Sequence, residues 1–85
     1  MRYVLTNQAT QELERRGIPA SLLEEVLTFP QQRVPGHNGI TCLQSQVEIS
    51  GKMYLIRVMM NPFAVPAKVV TVYRTTKIGK YWGRP

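Results

Sequence analysis

Between Ile49 and Pro85 the chain contains no acidic residue. Basic residues run through the same stretch as Lys52, Arg57, Lys68, Arg74, Lys77, Lys80 and Arg84, while all five carboxylates fall within residues 1–48. Folded into a sheet with a short basic tail, the second half presents a one-signed surface suited to a polyanion, RNA or DNA. The net charge of +6 is therefore regional rather than spread over the molecule.

Other absences narrow the field. Cysteine occurs once, as Cys42, which excludes an intramolecular disulfide; with no cluster of Cys and His there is no zinc framework either, and the thiol reads as a buried, inert side chain. No run of roughly 18 apolar residues and no signal-peptide pattern is present, so the expectation is a soluble, cytoplasmic protein without a membrane span. No repeat, linker or low-complexity stretch interrupts the 85 residues, which read as a single domain, 1–85, too small for a second catalytic lobe. Met53, Met59 and Met60 read as strand core, and no metal or other cofactor is expected.

What is present starts with two helical patterns. Thr6 or Asn7 caps the first, Leu5, Ala9 and Leu13 recur at four-residue spacing, and Gly17 stands where a helix stops in a left-handed turn. Pro19 fits the first turn of the second, Leu22, Leu23, Val26 and Leu27 form its apolar stripe, and Pro30 closes it. Tyr3 and Val4 also allow Met1 to Leu5 to be a brief edge strand.

After Pro30 the period falls to two. Leu43, Val47 and Ile49 alternate with Gln44, Gln46 and Glu48, and Ser50-Gly51 makes a two-residue hairpin turn. That turn pairs Ile49 with Lys52, Val47 with Tyr54, Ser45 with Ile56, Leu43 with Val58 and Gln44 with Arg57, so one face packs on the helices and the other stays open. Asn61 to Pro66 reads as a loop, Lys68 to Thr75 as a further strand, and Thr76 to Pro85 as a basic, aromatic tail too rich in glycine for a helix. By alternation Tyr73 shares a face with Thr71 and Val69 and opposes Arg74 unless a bulge intervenes. The expected fold class is α+β, an N-terminal helical hairpin on one face of a three- to four-stranded antiparallel sheet.

Several strings carry a resemblance: Leu5-Thr6 to Ala9, Glu14 to Ile18, Val26-Leu27 with Pro30, and most specifically Thr71 to Thr75 with Lys77, Lys80, Tyr81 and Trp82. Together they resemble the small bacterial family known as domain of unknown function 4258, which itself looks like a branch of the RelE/ParE and BrnT-type toxin fold. The resemblance implies a helical hairpin packed on an antiparallel sheet, a toxin-like ribonuclease of a toxin-antitoxin system, and a small acidic antitoxin-like protein as partner. Members often carry His just before the alanine of helix one, where this chain has Gln8. RelE-type toxins use arginines on later strands and a tyrosine near the C-terminus. By position Arg57, Arg74 and Tyr81 fill these catalytic places, and Lys52, Lys77, Lys80 and Tyr73 are candidate nucleic-acid contacts.

The chemistry suits those residue types. Attack of a ribose 2′-hydroxyl on its own phosphate needs a base, cations for the crowded phosphorane and an acid for the leaving 5′-oxygen, and no metal. Arginine binds two phosphoryl oxygens with its planar fork. Each residue also has a plainer role: Arg57 with Gln44 as a solvated sheet face, Arg74 and Lys77 as charges at a strand end, Tyr81 and Trp82 as packing for the tail. Arg15 and Arg16 read as helix-end charges, and His37, the single imidazole, as a solvated residue of the turn Pro35 to Gly39. The alternative to an enzyme is a non-catalytic nucleic-acid- or protein-binding module.

Overall fold

A computed structural model describes residues 2–83; Met1, at the start of the expected edge strand, and Arg84 and Pro85, at the end of the expected tail, lie outside the described residues. The elements in order are β1 (Tyr3–Leu5), α1 (Asn7–Arg15), α2 (Ala20–Thr28), β2 (Gln32–Pro35), β3 (Thr41–Ile49), β4 (Lys52–Asn61), β5 (Ala67–Thr75) and α3 (Ile78–Tyr81).

Helix α1 starts where its cap dictates. Thr6 is extended, and its hydroxyl accepts the Ala9 N–H at 3.1 Å, satisfying one of the free donors of the first turn. Leu5 therefore belongs to β1 and not to the helical stripe. At the other end Gly17 takes φ +61°, the Ile18 N–H returns to the Leu13 carbonyl at 2.9 Å and the Gly17 N–H to that of Glu14 at 3.2 Å. This is a Schellman ending, and it folds Ile18 back onto Leu13 within the core. Helix α2 follows Pro19 and ends at Phe29, before Pro30.

The expected antiparallel sheet of three or four strands beneath a helical hairpin is not what forms. The sheet has five strands in the order β1-β5-β4-β3-β2, and it is mixed, because β1 runs parallel to β5 with Tyr3 opposite Ala67 and Leu5 opposite Val69. The helices take their main contacts from strands rather than from one another: α1 lies along β5 and β1, α2 over β3 and β4. Strand β2, four residues ending in Pro35, sits at the opposite edge, where a residue without an N–H is tolerated.

The β3–β4 hairpin keeps the register that its turn sets, from Ile49 opposite Lys52 to Leu43 opposite Val58, with Ser50 and Gly51 both at positive φ. In β5 the alternation breaks. Met59 pairs with Thr71 and Met60 with Val69, leaving Val70 as the extra residue of a bulge. Val69 is accordingly buried in the helix-side core, and does not share the face of Thr71 and Tyr73. Thr6 serves this irregularity too: its hydroxyl donates to the Val70 carbonyl at 2.7 Å, and its N–H to that of Val69 at 3.1 Å. One threonine thus caps α1 and satisfies a bulged carbonyl of the last strand.

Leu13, Ile18, Leu23, Val26, Leu27, Leu43, Ile56, Val58, Val69 and Val72 fill the space between helices and sheet. Leu55 and Cys42 are just as buried but project from the other face of the sheet, outside that core. The tail lies across this second face: Ile78 to Tyr81 form a helical turn in the basic, aromatic segment whose glycine content argued against a helix. Among the described residues no helix is long and apolar enough to cross a membrane.

Candidate anion-binding site

Strand pairing aligns four polar residues in one row across the second face: Gln32 on β2, Gln44 on β3, Arg57 on β4 and Tyr73 on β5. Neighbours in the row are hydrogen-bonded. The Gln44 side-chain amide donates to the Gln32 carbonyl at 2.7 Å, Arg57 Nε donates to the Gln44 carbonyl at 2.9 Å, and Arg57 Nη1 donates to the Tyr73 hydroxyl. Gln44 is fully buried, so an unmet amide there would be costly, and all its groups are met: its Nε2 also donates to the Tyr81 carbonyl at 3.1 Å.

The tail is bound to the row by the same glutamines. Gln32 accepts the Gly83 N–H at 2.9 Å and donates to the Gly83 carbonyl at 2.8 Å, a two-point grip on one residue. Held in this way, the Tyr81 ring lies 4.3 Å from the Arg57 guanidinium carbon and edge-on to Tyr73, with centroids 6.3 Å apart. Lys80 Nζ approaches the Tyr81 ring at 5.2 Å. From the far edge Arg16, already paired to Glu12 at 2.7 Å, brings its guanidinium to 5.8 Å from the Tyr73 ring. β1 stops opposite Val69, and this leaves the edge beside Tyr73 free for it. Three cations therefore surround two tyrosines, each using the negative face of a ring.

Arg57 is the centre of this group. A guanidinium has five N–H donors in a planar fork, and two are engaged, by Gln44 and Tyr73. The ion pairs among the described residues join Arg15 and Arg16 to Glu12, and none reaches Arg57. Of the carboxylate side chains among the described residues, only Glu48 is on this face of the sheet, at its turn end opposite Met53. A half-buried cation with no carboxylate beside it among the described residues is an anion site in waiting, since desolvation strengthens any charge-assisted hydrogen bond it can make.

In the next row along the same face, Val34, Cys42, Met59 and Thr71, the last three floor a concave pocket of about 370 Å³ that Arg57 also lines. The β2–β3 loop walls it. Asn38 and Gly39, at φ +55° and +78°, turn the chain so that the Ile40 N–H reaches the His37 carbonyl at 3.1 Å, and this brings His37 and Ile40 to the pocket. Burial pushes the Cys42 thiol up from its ordinary pKa, against the opposing influence of Arg57, and it sits as a neutral group whose Sγ is 3.9 Å from the Gln44 carbonyl.

The expected site residues divide between two faces. Arg57, Tyr73 and Tyr81 come together, with Lys80 beside them. Arg74 does not join them. It pairs with Ile56 on the helix side, and its guanidinium lies 4.7 Å from the Tyr54 ring, because alternation forbids Tyr73 and Arg74 from sharing a face. Lys52 falls on that helix side as well, opposite Ile49 at the hairpin turn, and Lys77 is exposed at the start of α3. Gln8 is an exposed residue in the first turn of α1. Four participants were missed by sequence reasoning: Gln32, which binds the tail; Gln44 as an organiser rather than a surface group; Arg16; and His37 as a pocket residue. For His37 the turn sequence Pro35 to Gly39 marks the bend, but nothing local says which strand face it overhangs.

No family model, no curated protein and no solved structure matches this chain.

Proposed function

We propose that the Arg57 face binds the phosphodiester backbone of RNA and that the protein acts as a toxin-like, metal-independent ribonuclease. The observation that carries this reading is Arg57 itself: a fixed, half-buried guanidinium with three N–H donors free and no carboxylate partner among the described residues. Phosphoryl oxygens match such a fork. The surrounding Arg16 and Lys80 add positive potential for a backbone that carries one charge per nucleotide.

In this reading Arg57 neutralises the charge that builds on the phosphorane. Tyr73 accepts from Arg57, which leaves its own O–H to donate, and it is placed to protonate the leaving 5′-oxygen. His37, on the wall of the pocket that Arg57 lines, is the base for the 2′-hydroxyl. Tyr81 holds the guanidinium from above rather than taking part in proton transfer. Arg74 has no role at this face. A small acidic protein covering the same face is the corresponding neutralising partner, and the cytoplasm is the corresponding site of action.

A specific observation favours binding without cleavage as the second reading: among the described residues no side-chain hydrogen bond orients the His37 imidazole. One experiment separates the two. Purified protein is incubated with single-stranded RNA in excess chelator, and the 3′ ends are analysed. Cleavage leaving 2′,3′-cyclic phosphate, lost in Arg57→Ala and in Tyr73→Phe, supports the ribonuclease. Intact RNA that is retained by wild type and released by Arg57→Ala supports the binding module, and RNA neither cut nor retained overturns both.

A further inference from the structure

We infer that the pocket beside Arg57 is a subsite for one unstacked nucleobase of single-stranded RNA. The inference rests on the phosphodiester reading of Arg57 and adds to it a specificity element. Its premise is that one side chain belongs to both places: Arg57 sits in the hydrogen-bonded row and also lines the pocket. A phosphate held by the free side of this guanidinium has its attached nucleoside within reach of the cavity.

The walls have the chemistry of a base site. Ile40, Met59 and Val70 offer apolar surface to a heterocycle's faces, and a methionine thioether makes favourable contact with an aromatic ring. Thr71 supplies a hydroxyl for a base edge. Few polar groups in a mostly apolar concavity is the usual make-up of a small-ligand pocket, and 370 Å³ falls at the low end of the range such pockets span, about 300–1,000 Å³. Sequence-selective proteins read RNA by splaying single-stranded bases into such places.

The bulge shapes the cavity. A regular strand would present only Thr71 here, but the extra residue brings Val70 to the pocket as well. The roof is fixed by backbone: the Gly36 N–H donates to the Ile40 carbonyl at 2.7 Å, and a Cβ on Gly36 would stand 2.8 Å from that oxygen, so only glycine closes the loop this tightly.

The test uses methyl and guanidinium NMR on the full chain. Probes are a nucleoside 3′-monophosphate, ribose 5-phosphate and inorganic phosphate. The expected result is that all three move the Arg57 Nε–H resonance, while only the nucleotide shifts the methyl groups of Ile40, Met59 and Val70. Ile40→Trp, which fills the pocket from its loop wall, should weaken nucleotide binding by at least about tenfold, the scale of losing a fitted apolar contact, and leave phosphate binding unchanged. Arg57 shifts without any methyl response, or equal methyl responses to nucleotide and ribose 5-phosphate, overturn the base subsite while the phosphate reading stands. If none of the probes moves Arg57, the phosphate reading itself fails. Should Ile40→Trp not fold, the wild-type methyl response decides alone.

Discussion

The side-chain carbonyl of Gln44 accepts the Arg57 Nε–H at 2.9 Å, and the amide of the same glutamine donates to the backbone carbonyl of Tyr81 at 3.1 Å. One buried side chain thus aims the guanidinium and anchors the ring that stacks on it. Replacing it with leucine, close in size, leaves the Tyr81 carbonyl, the Gln32 carbonyl and Arg57 Nε each short of a partner. The expected cost is about 1–3 kcal/mol in urea denaturation. Amide exchange at Trp82 and Gly83 should accelerate by more than exchange in β3 and β4. Unchanged exchange in the tail would show that Gln32 alone holds it.

Arg57→Ala and Arg74→Ala should separate cleanly. Loss of Arg57 removes charge-assisted hydrogen bonds to the anion, about 1.5–3 kcal/mol of RNA affinity, and flattens the salt dependence. Arg74→Ala should leave affinity and salt slope as they are, because the side chain lies against Tyr54 on the helix side. Fluorescence anisotropy across a salt series measures both. Equal losses would mean that RNA wraps around the sheet edge.

The contrast between these two arginines shows what the sequence could carry. Alternation already placed Gln44 opposite Arg57 and set Tyr73 against Arg74, because a tight turn at Ser50-Gly51 makes register a local property. What decides between Tyr73 and Arg74 is the pairing of β5 with β4, and that includes a bulge with no glycine to announce it. The partner of the bulged carbonyl is Thr6, 64 residues away. β1 and β2 are three and four residues long, too short for a period to register, and the parallel pairing that makes the sheet mixed is a relation between opposite ends of the chain. Tail docking was equally hidden, since the groups that hold it are two glutamines, Gln32 at Gly83 and Gln44 at the Tyr81 carbonyl, residues that read as surface in any strand pattern.

Thr6→Val keeps size and shape and removes the hydroxyl. Both its hydrogen bonds go, one from the Ala9 N–H and one to the Val70 carbonyl. Loss of a cap costs about 0.5–2 kcal/mol, and this variant should fall at the upper end or beyond because a part-buried carbonyl is stranded too. Thr6→Ser should recover most of it. A loss no larger than that of an ordinary cap would mean that the bulge carbonyl finds water.

The Tyr3 hydroxyl donates to the Glu24 carboxylate at 2.6 Å, and that bond, aided by desolvation and the carboxylate charge, pushes the phenol up to about 12 from its ordinary 10.0. Folding favours the neutral phenol, so its contribution to stability is intact below pH 10.0 and disappears as pH rises towards about 12. Ultraviolet titration should show one phenolate forming with a midpoint of about 12, and Tyr3→Phe should delete that step. Persistence of the step in Tyr3→Phe would assign it to another tyrosine.

Val70 is the one residue of β5 that the ladder does not need. With it deleted, Val69 and Thr71 would become ordinary neighbours on opposite faces, and every other side chain of the strand would point where it points now. The strand would straighten, Thr6 would lose its acceptor and the pocket would lose a wall. The chain is one residue longer than its sheet requires, and the surplus residue stands beside Arg57's cavity.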